Sequence, residues 1–220
     1  MELGNVVEFI DRQKMVCAVI LEIKKLRLRL LTEANSEVKL SADRLSHRCN
    51  HHLDLSLSRE KLVAILREVS SRRKALIDHV DVKELWEILN SEQEWIDLET
   101  MTEFCFPENP SADHESAVVR AFFNNRLYFK FNGSRFFPHS QEKVIQLDNQ
   151  EKENARIERM VTEGSRWVKH LIHNENPPSL GLSAEEQKEL MEILKSVYLH
   201  QKESRYYALG KRILRRAEIG

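Results

Sequence analysis

Residues 126–138 read RLYFKFNGSRFFP, and this stretch decides the fold. Two short β-prone runs, Arg126 to Phe131 and Ser134 to Pro138, flank Asn132-Gly133. Asn-Gly between such runs is the strongest short hairpin signal, because both residues tolerate the positive φ of a type I′ turn. Working outward, three helical patterns precede it. Asp81, with Glu84 three residues later, has the form of a capping box, and Leu85, Ile88 and Leu89 follow at helical spacing. Asp97 starts the next, with Leu98, Met101 and Phe104 along it and Pro107 and Pro110 ending it. Asp113 opens the third, with Ala117, Val118, Ala121 and Phe122 inward. Three helices closed by a hairpin is the order of a winged helix-turn-helix. The spacing predicts such a domain over 56–140, entered by a helix capped at Ser58 and carrying Leu62, Ile65, Leu66 and Val69.

Upstream, residues 5–41 alternate as four short strands with polar turns, which predicts a small β-barrel of the SH3 or oligonucleotide-binding kind over 1–50. In Leu26-Arg-Leu-Arg-Leu30 the leucines face the core while Arg27 and Arg29 share the solvent face. The segment His47-Arg-Cys-Asn-His-His52 holds four potential metal ligands, but at one-residue spacing and without a second pair downstream. It reads as a polar linker. Downstream of Ser140 the strand signals stop, and helical spacing through Ile157, Met160, Val161, Trp167, Val168 and Leu171 predicts a helical segment over 141–220. A break at Asn174–Gly181, a capping box at Ser183 and Glu186, and a last helix reaching Arg216 complete it. The predicted class is therefore α+β: barrel, winged helix, helical linker.

Charge is unevenly spread over the 220 residues, whose net charge is −1. Residues 81–139 hold eleven Asp/Glu against five Lys/Arg, so the winged-helix segment is the most acidic part and bulk electrostatics do not predict DNA binding. Three scattered cysteines (Cys17, Cys49, Cys105) fit reduced thiols in a cytoplasmic setting rather than a disulfide framework. No apolar run approaches the length of a membrane span, and no leader precedes the first strand, so no membrane partner is expected. The cysteines lack a base partner by motif, and no glycine-rich phosphate loop is present. The aromatic ribbon could stack bases of single-stranded nucleic acid, its rings alternating with cations. Most of those rings are expected to pack in the core, with Phe129 and Phe131 on opposite faces. The candidate nucleic-acid contacts are Arg12, Lys14, Arg27, Arg29, Arg120, Arg126, Lys130 and Arg135.

Three stretches carry a family resemblance. They are Leu98-Glu-Thr-Met-Thr-Glu-Phe-Cys-Phe106, then Ala117 to Lys130 with Phe136-Phe-Pro-His-Ser-Gln-Glu-Lys-Val144, and Tyr198 to Gly220. Together they resemble the N-terminal, non-catalytic region of the ribonuclease II (RNB) superfamily of exoribonucleases, in the branch that bears a winged helix. The resemblance implies an accessory region that binds single-stranded RNA and guides it to a hydrolytic 3′–5′ exoribonuclease domain. That domain resembles a cluster of four closely spaced aspartates holding Mg²⁺. No such run lies between Met1 and Gly220, so this chain is expected to be no enzyme and to need no cofactor, Mg²⁺ belonging to the missing catalytic domain. A chain ending at Gly220 would stop just short of it. Two other readings remain open: a protein-interaction or dimerisation module using the acidic 81–139 face, and a winged-helix DNA-binding regulator. Oligomeric state is not legible.

Overall fold

The computed structural model describes residues 1–25, 27–132, 134–173, 175–176 and 179–219. Leu26 and Gly133, which the sequence places in a core-facing strand and in the hairpin turn, lie outside the described residues, as does part of the 174–181 break. The chain is α+β with antiparallel sheets, and it divides into two compact units, Met1–Val144 and Ile145–Gly220.

The first unit begins with five strands: β1 (Asn5–Asp11), β2 (Lys14–Lys24), β3 (Arg27–Thr32), β4 (Glu37–Ser41) and β5 (Leu45–His52). Their order is β4-β3-β2-β1-β5, an open sheet in which β4 and β5 are the edges. The expected closed barrel is therefore not present, and the sheet has five strands rather than four. The fifth is the segment that reads as a linker. Its polar residues hide it from a pattern search, yet it is held by the β1 ladder (Val7 opposite Arg48, Glu8 opposite His47). Its inward polar groups find partners one by one: the His47 imidazole meets Glu115 at 3.1 Å, and Cys49 Sγ donates to the Val6 carbonyl at 3.2 Å.

Apolar layers form on both faces of this sheet. Val7, Phe9, Ala18, Ile20, Leu28, Leu30 and Leu40 form one apolar layer. Val6, Cys17, Val19, Leu31 and Cys49 form the other, against Leu62, Val63, Leu66 and Val69 of α1 (Arg59–Ile77). Helix α1 starts where Ser58 Oγ accepts from the Lys61 N–H. In β2 the pairing jumps from Ile20–Leu30 to Glu22–Arg29, a bulge that leaves Leu21 as the extra residue.

The rest of the unit runs α2 (Val82–Leu89), β6 (Ile96–Asp97), α3 (Leu98–Cys105), α4 (Ala112–Asn124), β7 (Phe129–Asn132) and β8 (Arg135–Pro138). Asp81 and Asp97 cap α2 and α3 as the sequence predicts, accepting from Glu84 N–H and Thr100 N–H at 2.9 Å each. Helix α4 starts earlier than expected, with Ser111 as its N-cap. Asp113 is then free to accept from Arg73 and Arg72 of α1, at 2.8 and 2.9 Å. Strands β7 and β8 pair as a hairpin, Asn132 opposite Arg135, and the two-residue β6 joins as the outer partner of β8. Phe129 and Phe131, two residues apart, both turn inward rather than dividing between faces. Phe122 sits 4.9 Å from Phe129 and 4.4 Å from Phe136, closing a core with Met101, Val118 and Leu89.

The second unit is helical. It contains most of α5 (Gln141–Ile172), with α6 (Ala184–His200) and α7 (Tyr207–Arg216). Met160, Val161, Leu190, Ile193 and Ile213 form its core. Close approach depends on two glycines. A Cβ on Gly164 would lie 2.8 Å from Leu190 Cδ1, and one on Gly210 would lie 2.6 Å from Val197 Cγ2. Glu158 ties α7 to α5 through Arg212 at 2.7 Å and through Arg216.

Candidate nucleic-acid interface

The β2–β3–β4 end of the five-stranded sheet gathers cations by register. Lys24, Arg27 and Ser41 lie side by side across three strands, and Glu22, Arg29 and Lys39 form the next row. Paired residues share a face, so all six project to one side. Five of them, Lys24, Arg27, Glu22, Arg29 and Lys39, line a cleft of about 220 Å³ together with Leu28, four cations against the single carboxylate of Glu22. That carboxylate is held below the usual range by its hydrogen bond to Lys24, with Arg29 beside it at 3.2 Å. Arg29 also faces Glu37 at 3.5 Å, and Glu37 is fixed by Arg59 at 2.6 Å. Arg29 is thus braced between two carboxylates. Arg27 and Lys39 make no ion pair among the described residues, which leaves both to meet an anion.

The other expected contacts disperse. Arg12 lies exposed in the β1–β2 turn, where Arg12 and Gln13 both take positive φ (45° and 63°), and Lys14 follows it. They sit at the opposite end of β2 from Lys24, roughly 30 Å of strand away. Arg126 stacks on Phe123 with its guanidinium carbon 4.3 Å from the ring, and it donates to the Phe123 carbonyl at 3.2 Å. Lys130 is exposed on the outer face of the hairpin, opposite Phe137, with its ammonium 5.7 Å from the Trp95 ring. Arg135 is exposed on the same face, opposite Asn132 and Asp97. Trp95 and Phe137 stand 5.4 Å apart, so this small sheet carries two accessible rings and two cations outside and a phenylalanine core inside.

Arg120 is the exception. It is 3% exposed and donates to Glu8 Oε1 at 2.6 and 3.2 Å. The same carboxylate receives Ser116 Oγ at 2.6 Å and lies 2.9 Å from Arg73. Burial alone pushes Glu8 toward its neutral form, but the adjacent Arg120 and Arg73 more than offset this and hold its pKa below the ordinary range. Arg120 is therefore a structural cation, and its place on the chain offers nothing to a ligand. Indeed every residue from Ser116 to Phe123 is buried, so α4 has no free face for a DNA groove.

Lys24, Lys39 and Trp95 were not among the expected contacts. Lys39 was legible, since Val38-Lys-Leu40 alternates as Arg27-Leu-Arg29 does and faces it across one turn. Trp95 was not, because the strand that follows it is only two residues long. Among the described residues no group of three or more His, Cys, Asp or Glu side chains is placed to hold a metal, and no helix is long and apolar enough to cross a membrane. His47 and Cys49 are turned inward to Glu115 and Val6.

No protein-family model matches the chain, and no curated protein sequence matches it. Among solved structures, an active-site mutant of the Dss1 exoribonuclease from Candida glabrata is similar, at 10% identity and a TM-score of 0.49. The likeness covers 99% of this chain and 33% of that one, so the chain spans about a third of the length of the exoribonuclease it resembles.

Proposed function

We propose that this chain is an accessory RNA-binding region of an RNB-type 3′–5′ exoribonuclease, which holds single-stranded RNA on its way to a catalytic domain outside the chain. The observation that carries the reading is the cationic rim of Lys24, Arg27, Arg29 and Lys39 on one face of the first sheet. Phosphates spaced along a single strand meet such a rim without any demand on sequence, and each contact releases counterions. The accessible Trp95 and Phe137 rings beside Lys130 and Arg135 supply a second element, a short stacking surface flanked by cations. The order of α2, β6, α3, α4, β7 and β8, with β6 against β8, is read as a winged helix used for packing rather than for groove insertion. The three-part division into residues 1–50, 56–140 and 141–220 belongs to the same reading. Catalytic aspartates and their Mg²⁺ belong to the other domain. The buried α4 speaks against a DNA regulator.

The test is equilibrium binding of a fluorescently labelled oligouridylate and of a duplex DNA of equal length, each across a salt series. The oligouridylate is expected to bind more tightly, with affinity falling steeply as salt rises. Equal or stronger binding of the duplex, or no salt-dependent binding of either, overturns the proposal.

A further inference from the structure

Carboxylates are as unevenly placed in this chain as cations. From Glu84 to Glu108 there are eight Asp and Glu residues and no Lys, Arg or His. This stretch builds most of α2, all of β6 and α3, and the loops between them. On its surface lies a groove of about 310 Å³ lined by Leu89, Glu92, Glu94, Trp95, Asp97 and Phe104, among others. Its apolar walls are accessible: Trp95 is 42% exposed and Phe104 54%, and Ile88, next to Leu89, is 65% exposed. Large apolar side chains grouped in a concave site are what a partner covers, since each Å² withdrawn from water contributes roughly 25 cal/mol.

The rim decides what kind of partner. Asp97 caps α3 through the Thr100 N–H, which holds its carboxyl below the usual range and keeps it charged. Glu92 and Glu94 have no ion-pair partner among the described residues and stand free at the edge. An acidic rim repels the phosphates of RNA, so the groove is unsuited to the ligand proposed for the first sheet. Within this chain the basic helix α7 turns Leu209, Ile213 and Leu214 into its own core, so that helix is not the groove's occupant.

We propose that this groove docks a cationic amphipathic segment of a protein partner, one apolar side chain entering between Trp95 and Phe104 while flanking Lys or Arg residues meet Glu92 and Glu94. The apolar anchor supplies the affinity, and the charges set orientation and on-rate. The inference shares Trp95 with the RNA reading but rests otherwise on different residues, Phe104, Glu92 and Glu94, and on charge of the opposite sign.

The probe is a synthetic helical peptide of alternating Leu and Lys turns, with a charge-inverted Leu/Glu peptide as its control, each titrated onto the full chain by fluorescence anisotropy. The Leu/Lys peptide is expected to bind and the Leu/Glu peptide not to. Phe104→Ser and the double variant Glu92→Lys/Glu94→Lys are each expected to weaken binding at least tenfold. All three side chains are exposed, so unchanged melting curves will certify folding. Equal affinity for Phe104→Ser overturns the proposal, since it marks mere charge attraction. So does competition by oligouridylate that persists when Lys130 and Arg135 are both changed to Ala, which makes the groove itself a nucleic-acid surface, or dimerisation of the free chain that is abolished by Phe104→Ser, which makes it a self-interface.

Discussion

Glu8 and Arg73 form an ion pair at 2.9 Å in which both side chains are wholly excluded from solvent. Glu8 lies in the middle of β1 on the face turned to the helices, and it also binds Arg120 and Ser116 of α4. One carboxylate therefore joins the first sheet to α1 and α4. A buried charge left without its partner is costly, whereas the intact cluster is close to neutral against an apolar replacement. Glu8→Gln removes the negative charge, leaving the buried Arg120 without a carboxylate and Arg73 with Asp113 alone. It is expected to destabilise the chain by about 3–5 kcal/mol, read by urea unfolding. A loss below about 1 kcal/mol would show that the cluster is hydrated or relaxes freely.

The same group sets a pH dependence. The folded pKa of Glu8 lies below its unfolded value, as does that of Asp113, whose burial is outweighed by its bonds to Arg73 and Arg72. As pH falls, the unfolded chain takes up these protons first. The stability they contribute is thus fully present above the ordinary carboxylate range and is lost as pH drops from there through the depressed folded values. The unfolding midpoint in urea is expected to stay level from neutral pH to about 5 and then to fall. The Glu8→Gln variant should fall less steeply. Identical slopes for the two proteins would remove Glu8 from the explanation.

The hairpin divides into inner and outer residues. Phe136→Ala opens a cavity among Phe122, Phe131 and Ile96 and is expected to cost about 3–5 kcal/mol. Lys130→Ala, on the outer face, should change stability by less than about 0.5 kcal/mol while weakening oligouridylate binding. Thermal melting and binding measured on the same samples separate the two. Loss of stability in both variants would mean that the Lys130–Trp95 contact is part of the fold.

In the second unit, Gly210→Ala gains helix propensity of about 1 kcal/mol but places a methyl group 2.6 Å from Val197. Overpacking is expected to win and to destabilise by about 1–2 kcal/mol net. Adding Val197→Ala should recover much of the loss, a coupling readable in a double-mutant cycle. A stabilised single variant would show that α6 and α7 can separate freely.

What could be read from the sequence was local. Ser58, Asp81, Asp97 and Ser183 cap the helices they are expected to cap, because a cap depends on residues within one turn. The Phe129–Pro138 hairpin was legible as a pair of strands, but not its register: Asn132, expected in the turn, is the last residue of β7, opposite Arg135. What was missed depends on distant partners. His47 looks like a linker residue until Glu115, 68 residues away, is brought to it. Arg120 looks like a recognition cation because its partner, Glu8, is 112 residues away. Glu8 itself was a signal: a lone acid in Val6-Val-Glu-Phe-Ile10 must either break the strand or find a buried base, and nothing local says which. The bulge at Leu21, which keeps Glu22 on the face of Arg29, has no residue-type marker at all.

The most direct test of RNA binding by the first sheet is the salt dependence of oligouridylate affinity in Arg27→Ala/Lys39→Ala, compared with the unaltered chain. Both residues rim the cleft without an ion pair, so their loss should leave melting unchanged. If they contact phosphates, the slope of log affinity against log salt should become shallower by roughly 0.7 for each residue removed. An unchanged slope and affinity, in a variant that melts normally, would contradict RNA binding at this site.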